Sequence, residues 1–406
     1  MIPFGVVSGY ASVTLGSQLG RAGVSMEKIL ALGALGTLPH TLKFFWSPLV
    51  DVTLSQKKWY VLSTLFTAVG VAALGFFPAT EASLVAFGFA VFLGCLASTV
   101  VGMAVESLMA HCSAEELKGR AGGWAMAGNL GGSSIGGGLG LFIVERVPEP
   151  WMASCFVALL CLLCALALRG LPSPARDIIG HRVFPLIWGS LKDLWRTIRL
   201  RRGMLALILC FLPLGIGASS SSWSALAPQW NASPDLVAIV TGVVGGFVAI
   251  AGCIAGGFIC DRRDRQTSYV WFGILVAISG VALAALPRTP VMFTVCTLIF
   301  SFTQGLSWAA YSAFVLEAIG KGAAATKFSV FSSLANAPIA YMAVFNGYIH
   351  SKLGTSGMLY MEAAMGVLGA VVFIIAVKLL LPRRRTDPES PGSLARNDEI
   401  RMTNVE

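Results

Sequence analysis

Runs of about twenty mainly apolar residues recur along this chain from residue 2 to residue 381. A helix needs about that length to cross a bilayer, at ~1.5 Å per residue. Twelve such runs can be read: 2–20, 27–50, 59–77, 82–110, 120–144 and 150–169, then 204–230, 235–259, 268–286, 291–318, 327–349 and 356–381. They are too long for strands and do not alternate. Only 12% of the 406 residues are charged. A soluble domain carries about 25%, so this chain could not cover a water-facing surface. It reads as an all-α membrane protein.

The net charge of +9 raises the question of nucleic acid. Placement answers it. Lys57 and Lys58, Lys118 and Arg120, Arg262, Arg263 and Arg265, and Lys321 and Lys327 fall in alternate loops. So do Arg176, Arg182, Lys192, Arg196, Arg199, Arg201 and Arg202, and the tail adds Arg383, Arg384 and Arg385. The opposite loops hold Arg21, Lys28, Arg146, Arg288 and Lys352. Basic loops stay on the cytoplasmic side, which puts both termini there and makes the basic excess topological. Phe184, Ile187, Trp188, Leu191, Trp195 and Ile198 recur at helical spacing between basic residues. That pattern predicts an amphipathic helix on the membrane surface. The tail is polar and rich in Pro, Ser and Arg, which predicts disorder.

The two sets of six runs share landmarks. Pro3-Phe4-Gly5 returns as Pro213-Leu214-Gly215, and Asp51 as Asp261, both at a shift of 210. Glu106 falls beside Glu317, and Asn129 near the counterpart of Asn336. An even number of spans separates the copies, so the halves share one orientation. The chain is expected to divide into a half at 1–169, a linker at 170–202, a half at 203–381 and a tail at 382–406. Parallel six-helix repeats characterise the major facilitator fold, with a substrate site at the midplane between the halves.

Residues 257–265, Gly-Phe-Ile-Cys-Asp-Arg-Arg-Asp-Arg, resemble the major facilitator loop signature G-x-x-x-D-R with further basic residues. In the first half, Ser47 replaces the glycine and Val52 the arginine. Asp51 and Asp261 mark helix ends, where a carboxylate pairs with arginine or a neighbouring helix N-terminus. They are expected to latch the halves together, or else to be plain solvated helix ends. Residues 2–51 also resemble the opening of bacterial muropeptide permeases of the AmpG type, a group that includes acetyl-CoA transporter homologues. The shared features are P-x-G in the first run, AGVS before the second, and Lys43, Phe44, Trp46, Pro48 and Asp51. Residues 323–349 resemble the group's A-T-Q-F segment, with Lys327 where Gln is usual and Ala337-Pro338 where Gly-Arg is common. Relatives carry about half a helix before P-x-G, whereas residues 2–20 span only about 28 Å. The natural start is therefore expected to lie upstream.

Lys43 lies about 12 Å inside the end marked by Asp51, further than its stem snorkels. It is read as a contact for an anionic substrate, as half of a buried ion pair with Glu106, or as a snorkelling residue. His40, one turn away, is a titratable neighbour or a packing residue. Glu106 and Glu317 are solvated ends, latch partners (Glu317 with Arg262, Glu106 with Lys57 or Lys58), or proton carriers. Glu362 is expected at the outer interface. Tyr10, Thr14 and Gln18, the run Ser219-Ser220-Ser221-Ser222-Trp223, and Ser301, Gln304, Trp308 and Tyr311 offer polar groups suited to a sugar-peptide. Such groups equally serve as glue between helices. The glycines at 128, 132, 136 and 140, and at 242, 246, 252 and 256, form close-packing faces, read as a sliding contact between spans 5 and 8 or as packing within one half.

Several function classes drop out. Residues 128–140 are glycine-rich, but no strand precedes them and no GK[ST] follows, so ATP does not drive this chain directly. Four scattered histidines and no HExxH argue against a membrane enzyme. The nine cysteines suggest no disulfide or zinc framework, and no cofactor is expected. The resemblance implies a secondary transporter in the bacterial inner membrane, coupled to an ion gradient, with protons as the expected ion. Its substrate would be an anhydro-sugar muropeptide. The alternatives are another anionic solute, such as a siderophore or an acyl-CoA-like molecule, and a non-transporting receptor. A monomer is expected.

Overall fold

The computed structural model describes residues 1–170 and 183–380. The predicted disordered tail and the first part of the linker lie outside the described residues. Every regular element within them is helical. In hydrocarbon each backbone N–H and C=O must be satisfied within its own segment, and a helix does this. Among the described residues, six helices are long and apolar enough to cross a membrane: Glu81–Cys112, Pro150–Gly170, Asp235–Arg262, Arg265–Ala285, Pro290–Ile319 and Ala324–Leu380. The last holds two spans, folded back at Gly354, whose φ of +69° ends one helix and starts the next.

The remaining apolar runs are built from shorter pieces. Span 1 runs through Ile2–Gly9, a π-helical stretch Tyr10–Leu15 and Gly16–Arg21. Span 2 is Met26–Leu42, a 3₁₀ turn Lys43–Phe45 and Ser47–Val52, with Pro39 inside the first piece. Span 3 is Gln56–Ala73. Span 5 is Lys118–Ser134, a π-helical stretch Ile135–Leu139 and Gly140–Val144. Span 7 is Arg201–Phe211, an unwound stretch, then Ala218–Ser222, Trp223–Leu226 and Ala227–Trp230. The linker helix Val183–Arg199 forms where the amphipathic pattern placed it, with Phe184, Trp188 and Trp195 exposed.

Each half has its own apolar core. Val6, Leu15, Val71, Phe87 and Val91 fill the first. Phe314, Phe328, Phe331 and Phe373 fill one end of the second, and Trp230, Phe293 and Phe300 the other. Between the halves, span 5 packs on spans 8 and 10, and the helix Ala324–Leu334 packs on spans 2 and 4.

The glycine faces of spans 5 and 8 do not meet each other. A Cβ at Gly132 or Gly136 would overlap the carbonyl oxygen of Ile2 or Val6, so this face takes span 1 of its own half. Gly252 and Gly256 are likewise closed by Phe302 and Leu306 of span 10. The contact across the halves is made nearer the basic end. There a Cβ on Gly123 would lie 2.5 Å from the Cys253 carbonyl oxygen, and one on Gly257 2.8 Å from that of Gly119. Helical spacing identified the small faces but not the neighbour each one takes. Gly136→Leu is expected to abolish the folded, monodisperse protein in detergent, measured by size-exclusion chromatography, because the clash is with backbone that cannot move aside.

Candidate functional site

Asp51 and Asp261 do matching work at the basic end. Asp51, at the end of span 2, accepts from the backbone N–H groups of Ala325 (3.1 Å) and Thr326 (2.7 Å). Those residues open the first helix of span 11, in the other half. Asp261, at the end of span 8, accepts from the backbone N–H of Arg120 (3.1 Å) and from its Nε (2.6 Å). Arg120 opens span 5, again in the other half. A helix start carries orphan N–H groups and partial positive charge, which a carboxylate satisfies. Asp193 of the linker helix adds a third cap, accepting from Ala323 N–H at 3.2 Å and pairing with Lys327 at 2.9 Å. Lys118 Nζ also crosses to the Leu316 carbonyl at 3.0 Å.

Glu317 meets partners other than the expected one, while Glu106 takes the pair with Lys43 that was one of the readings of both residues. Glu317 pairs with Arg265 (2.9 Å) and Arg202 (3.0 Å), while Arg262 is exposed. The break between the helices separates the two arginines, since Arg262 ends span 8 and is exposed whereas Arg265 begins span 9 and is buried. Glu106 is buried and its ion pair is with Lys43 at 3.5 Å, inside the membrane-spanning part rather than at the loop between spans 2 and 3. The 3₁₀ turn after Pro39 swings Lys43 inward, and only 4% of it is exposed.

A cavity of about 360 Å³ lies between the halves beside this pair. Pockets for small molecules run from about 300 to 1,000 Å³. His40, Lys43 and Glu106 form one wall, and Trp308 and Tyr311 another. Lys43 Nζ stands 5.9 Å from the Phe4 ring centre, and that ring meets His40 edge-on at 4.9 Å. Glu106 Oε2 and His40 Nε2 are buried without a hydrogen-bond partner among the described residues.

Other expected contacts turn away from this cavity. Tyr10 is fully buried in the first half's core. Thr14 donates to the Gly136 and Gly137 carbonyls (2.8 and 2.9 Å), within the π-helical stretch of span 5. Gln18 is half-buried and lies outside the cavity lining. Ser220 is half-buried, and Trp223 is buried against Phe300 at 4.4 Å between ring centres. Gln304 Nε2 donates to the Ile216 carbonyl at 2.7 Å, in the unwound part of span 7. Ser301 returns its hydroxyl to the Thr297 carbonyl. Of the substrate candidates, the structure brings Lys43, Trp308 and Tyr311 together.

The Major Facilitator Superfamily model matches residues 1–343 and 205–401. The chain belongs to the major facilitator superfamily. It is similar to two proteins named "Putative transporter AmpG 4", from Rickettsia conorii and Rickettsia felis, each 24% identical over 87% of this chain and 90% of the relative. Its fold is similar to the proton:xylose symporter XylE, with a TM-score of 0.66 and 13% identity over 92% of this chain and 94% of that one. The human organic anion transporter MFSD10 gives a TM-score of 0.64 at 16% identity, over 92% and 97%. The Escherichia coli fucose:proton symporter FucP gives 0.67 at 13%, over 92% and 97%. The chain is a multi-pass membrane transporter of that superfamily.

Some residues lining this facilitator's cavity were not singled out as contacts. Asn129 and Asn336, read as repeat landmarks, both line it, as do Ser307 and Ser332. Their shared place near the repeat axis was the available signal. The expectation that no two cysteines have C-x-x-C spacing is wrong, because Cys161-Leu162-Leu163-Cys164 has it; both are free thiols on span 6. No cluster of metal-ligating side chains occurs among the described residues.

Removing one member of a buried pair strands the other. Lys43→Ala is therefore expected to cost about 3–5 kcal/mol, and Lys43→Met with Glu106→Leu to recover most of it, read as thermal midpoints in detergent. Asp51→Asn and Asp261→Asn are expected to weaken the latch by about 1–2 kcal/mol, roughly a five- to thirtyfold change in the closed-to-open ratio. The check is maleimide labelling of cavity-lining Cys210 from the basic end, in a variant retaining that cysteine alone. Labelling should speed up in both mutants.

Proposed function

We propose that this facilitator is a proton-coupled symporter that imports muropeptide-like anhydro-sugar peptides by alternating access. In this reading it lies in a bacterial inner membrane as a monomer, with its basic loops and both termini in the cytoplasm. The observation that carries the reading is the wall of the central cavity. Lys43 is there neutralised by Glu106, while Glu106 Oε2 and His40 Nε2 remain without partners. Buried polar atoms left unsatisfied call for a ligand or water.

The pair suits coupling. A proton on Glu106 discharges it and frees the Lys43 ammonium for a carboxylate of the substrate. Trp308, Tyr311, Asn129 and Asn336 offer stacking faces and amides to the sugar portion. Loaded and neutralised, the site no longer opposes opening of the cap pairs at Asp51 and Asp261. The muropeptide assignment draws support from the resemblance of residues 2–51 and from the AmpG-named relatives.

Uptake of labelled GlcNAc–anhydro-MurNAc peptide into proteoliposomes is the test, with and without an inward proton gradient. Gradient-dependent accumulation is expected, lost in Glu106→Gln. Absence of uptake by folded protein would sink the muropeptide assignment. It would favour another anionic solute, for which the cavity lysine is the matching group.

A further inference from the structure

Span 12 carries one carboxylate, Glu362. It lies eight residues beyond the fold-back at Gly354, so about 12 Å along the helix from that end. The interfacial position expected from sequence is therefore not where it sits. Its carboxylate accepts from the Ser219 backbone N–H at 3.2 and 3.1 Å, and from Asn346 Nδ2 at 2.7 Å. Ser219 follows the unwound stretch of span 7, where Gly215 and Gly217 adopt φ of +69° and +61°. Only glycine adopts such angles without cost, so the break is built into the sequence.

No lysine, arginine or histidine pairs with Glu362 among the described residues. Among the described residues, the other elements lining the void beside it offer no titratable group. Span 9 presents Val276, Ala277 and Gly280, span 10 Phe300, and span 11 Met342 and Asn346. Beside the carboxylate is a void of about 20 Å³, room for one water. Asn346 is 4% exposed, and its Oδ1 has no partner among the described residues. A lone carboxylate at this depth is costly unless a cation neutralises it. Gly215 and Ile216 line both this void and the central cavity, so the break in span 7 is their common wall.

We propose that Glu362 is a proton-binding site, read by Asn346, that sets the conformation of the break in span 7. The amide serves both states. In this structure its Nδ2 donates to the carboxylate, the arrangement that suits the charged form. Turned over, its Oδ1 accepts the proton of the neutral acid. Protonation also weakens the acceptor for the Ser219 N–H and so loosens the start of the second piece of span 7. The site would supply a coupling proton remote from the Lys43–Glu106 pair. It deepens the symport reading but needs no particular substrate.

The experiment is infrared difference spectroscopy of the protein in lipid nanodiscs, titrated with acid in the absence of any solute. A protonated-carboxyl stretching component additional to that of Glu106 is expected in wild type, to remain in Glu106→Gln and to be missing in Glu362→Gln. Asn346→Ala, which removes one hydrogen bond to the charged form, should move that component to higher pH by roughly a tenfold change in proton affinity. It also tests the proposal should Glu362→Gln fail to fold. An unaltered component in both variants overturns the proposal. So does its displacement by sodium chloride at fixed pH, which would make Glu362 a sodium site. Because no solute is present, a wrong muropeptide assignment leaves this outcome untouched.

Discussion

A carboxylate from each half holds the start of a helix in the other half. Asp51 reaches Ala325 and Thr326, and Asp261 reaches Arg120. These cross-caps close the basic end and set where glycine contacts between spans 5 and 8 can form. They also leave the central cavity bounded on that side. A charged cap is worth about 1–2 kcal/mol, so the two together supply on the order of 2–4. Moving a two-state equilibrium from 1:99 to 99:1 takes about 5.5 kcal/mol. The caps thus bias the closed state on a scale that ligand binding and neutralisation of a buried charge can overcome.

Much of this frame was legible in the sequence. The twelve apolar runs and the loop signature pointed to the fold, and the shift of 210 to both cap residues. The site was less legible. Lys43 and Glu106 could each be picked out as charges inside apolar runs, and their pairing was one reading, but the choice among the readings depends on the 3₁₀ turn Lys43–Phe45, which no periodicity reveals. Asn129 and Asn336 looked like repeat markers because an amide in a helix carries no sign of which way it faces. Apolar residues surround each helix of a membrane bundle, so the polar positions alone must indicate the cavity.

Those polar positions mislead for a physical reason. The spans are interrupted by π-helical and unwound stretches, and each interruption frees backbone carbonyls where no water is at hand. Thr14 answers the carbonyls of Gly136 and Gly137. Gln304 answers Ile216, and the Tyr269 hydroxyl answers Leu214 at 2.7 Å. Several hydroxyls and amides that resembled sugar contacts therefore complete the backbone instead. A sequence shows the donors, but it does not show the breaks that need them.

The two cross-caps differ in what they ask of heredity. At Asp51 the donors from the other half are main-chain N–H groups, which Ala325 and Thr326 share with every residue except proline. Side chains at 325 and 326 that fit their buried places leave both donors intact. At Asp261 half of the cap is the Arg120 side chain, and its bonding is lost with almost any replacement. One seam of the molecule is thus buffered against mutation and the other is exposed to it, although the two are related by the same internal symmetry.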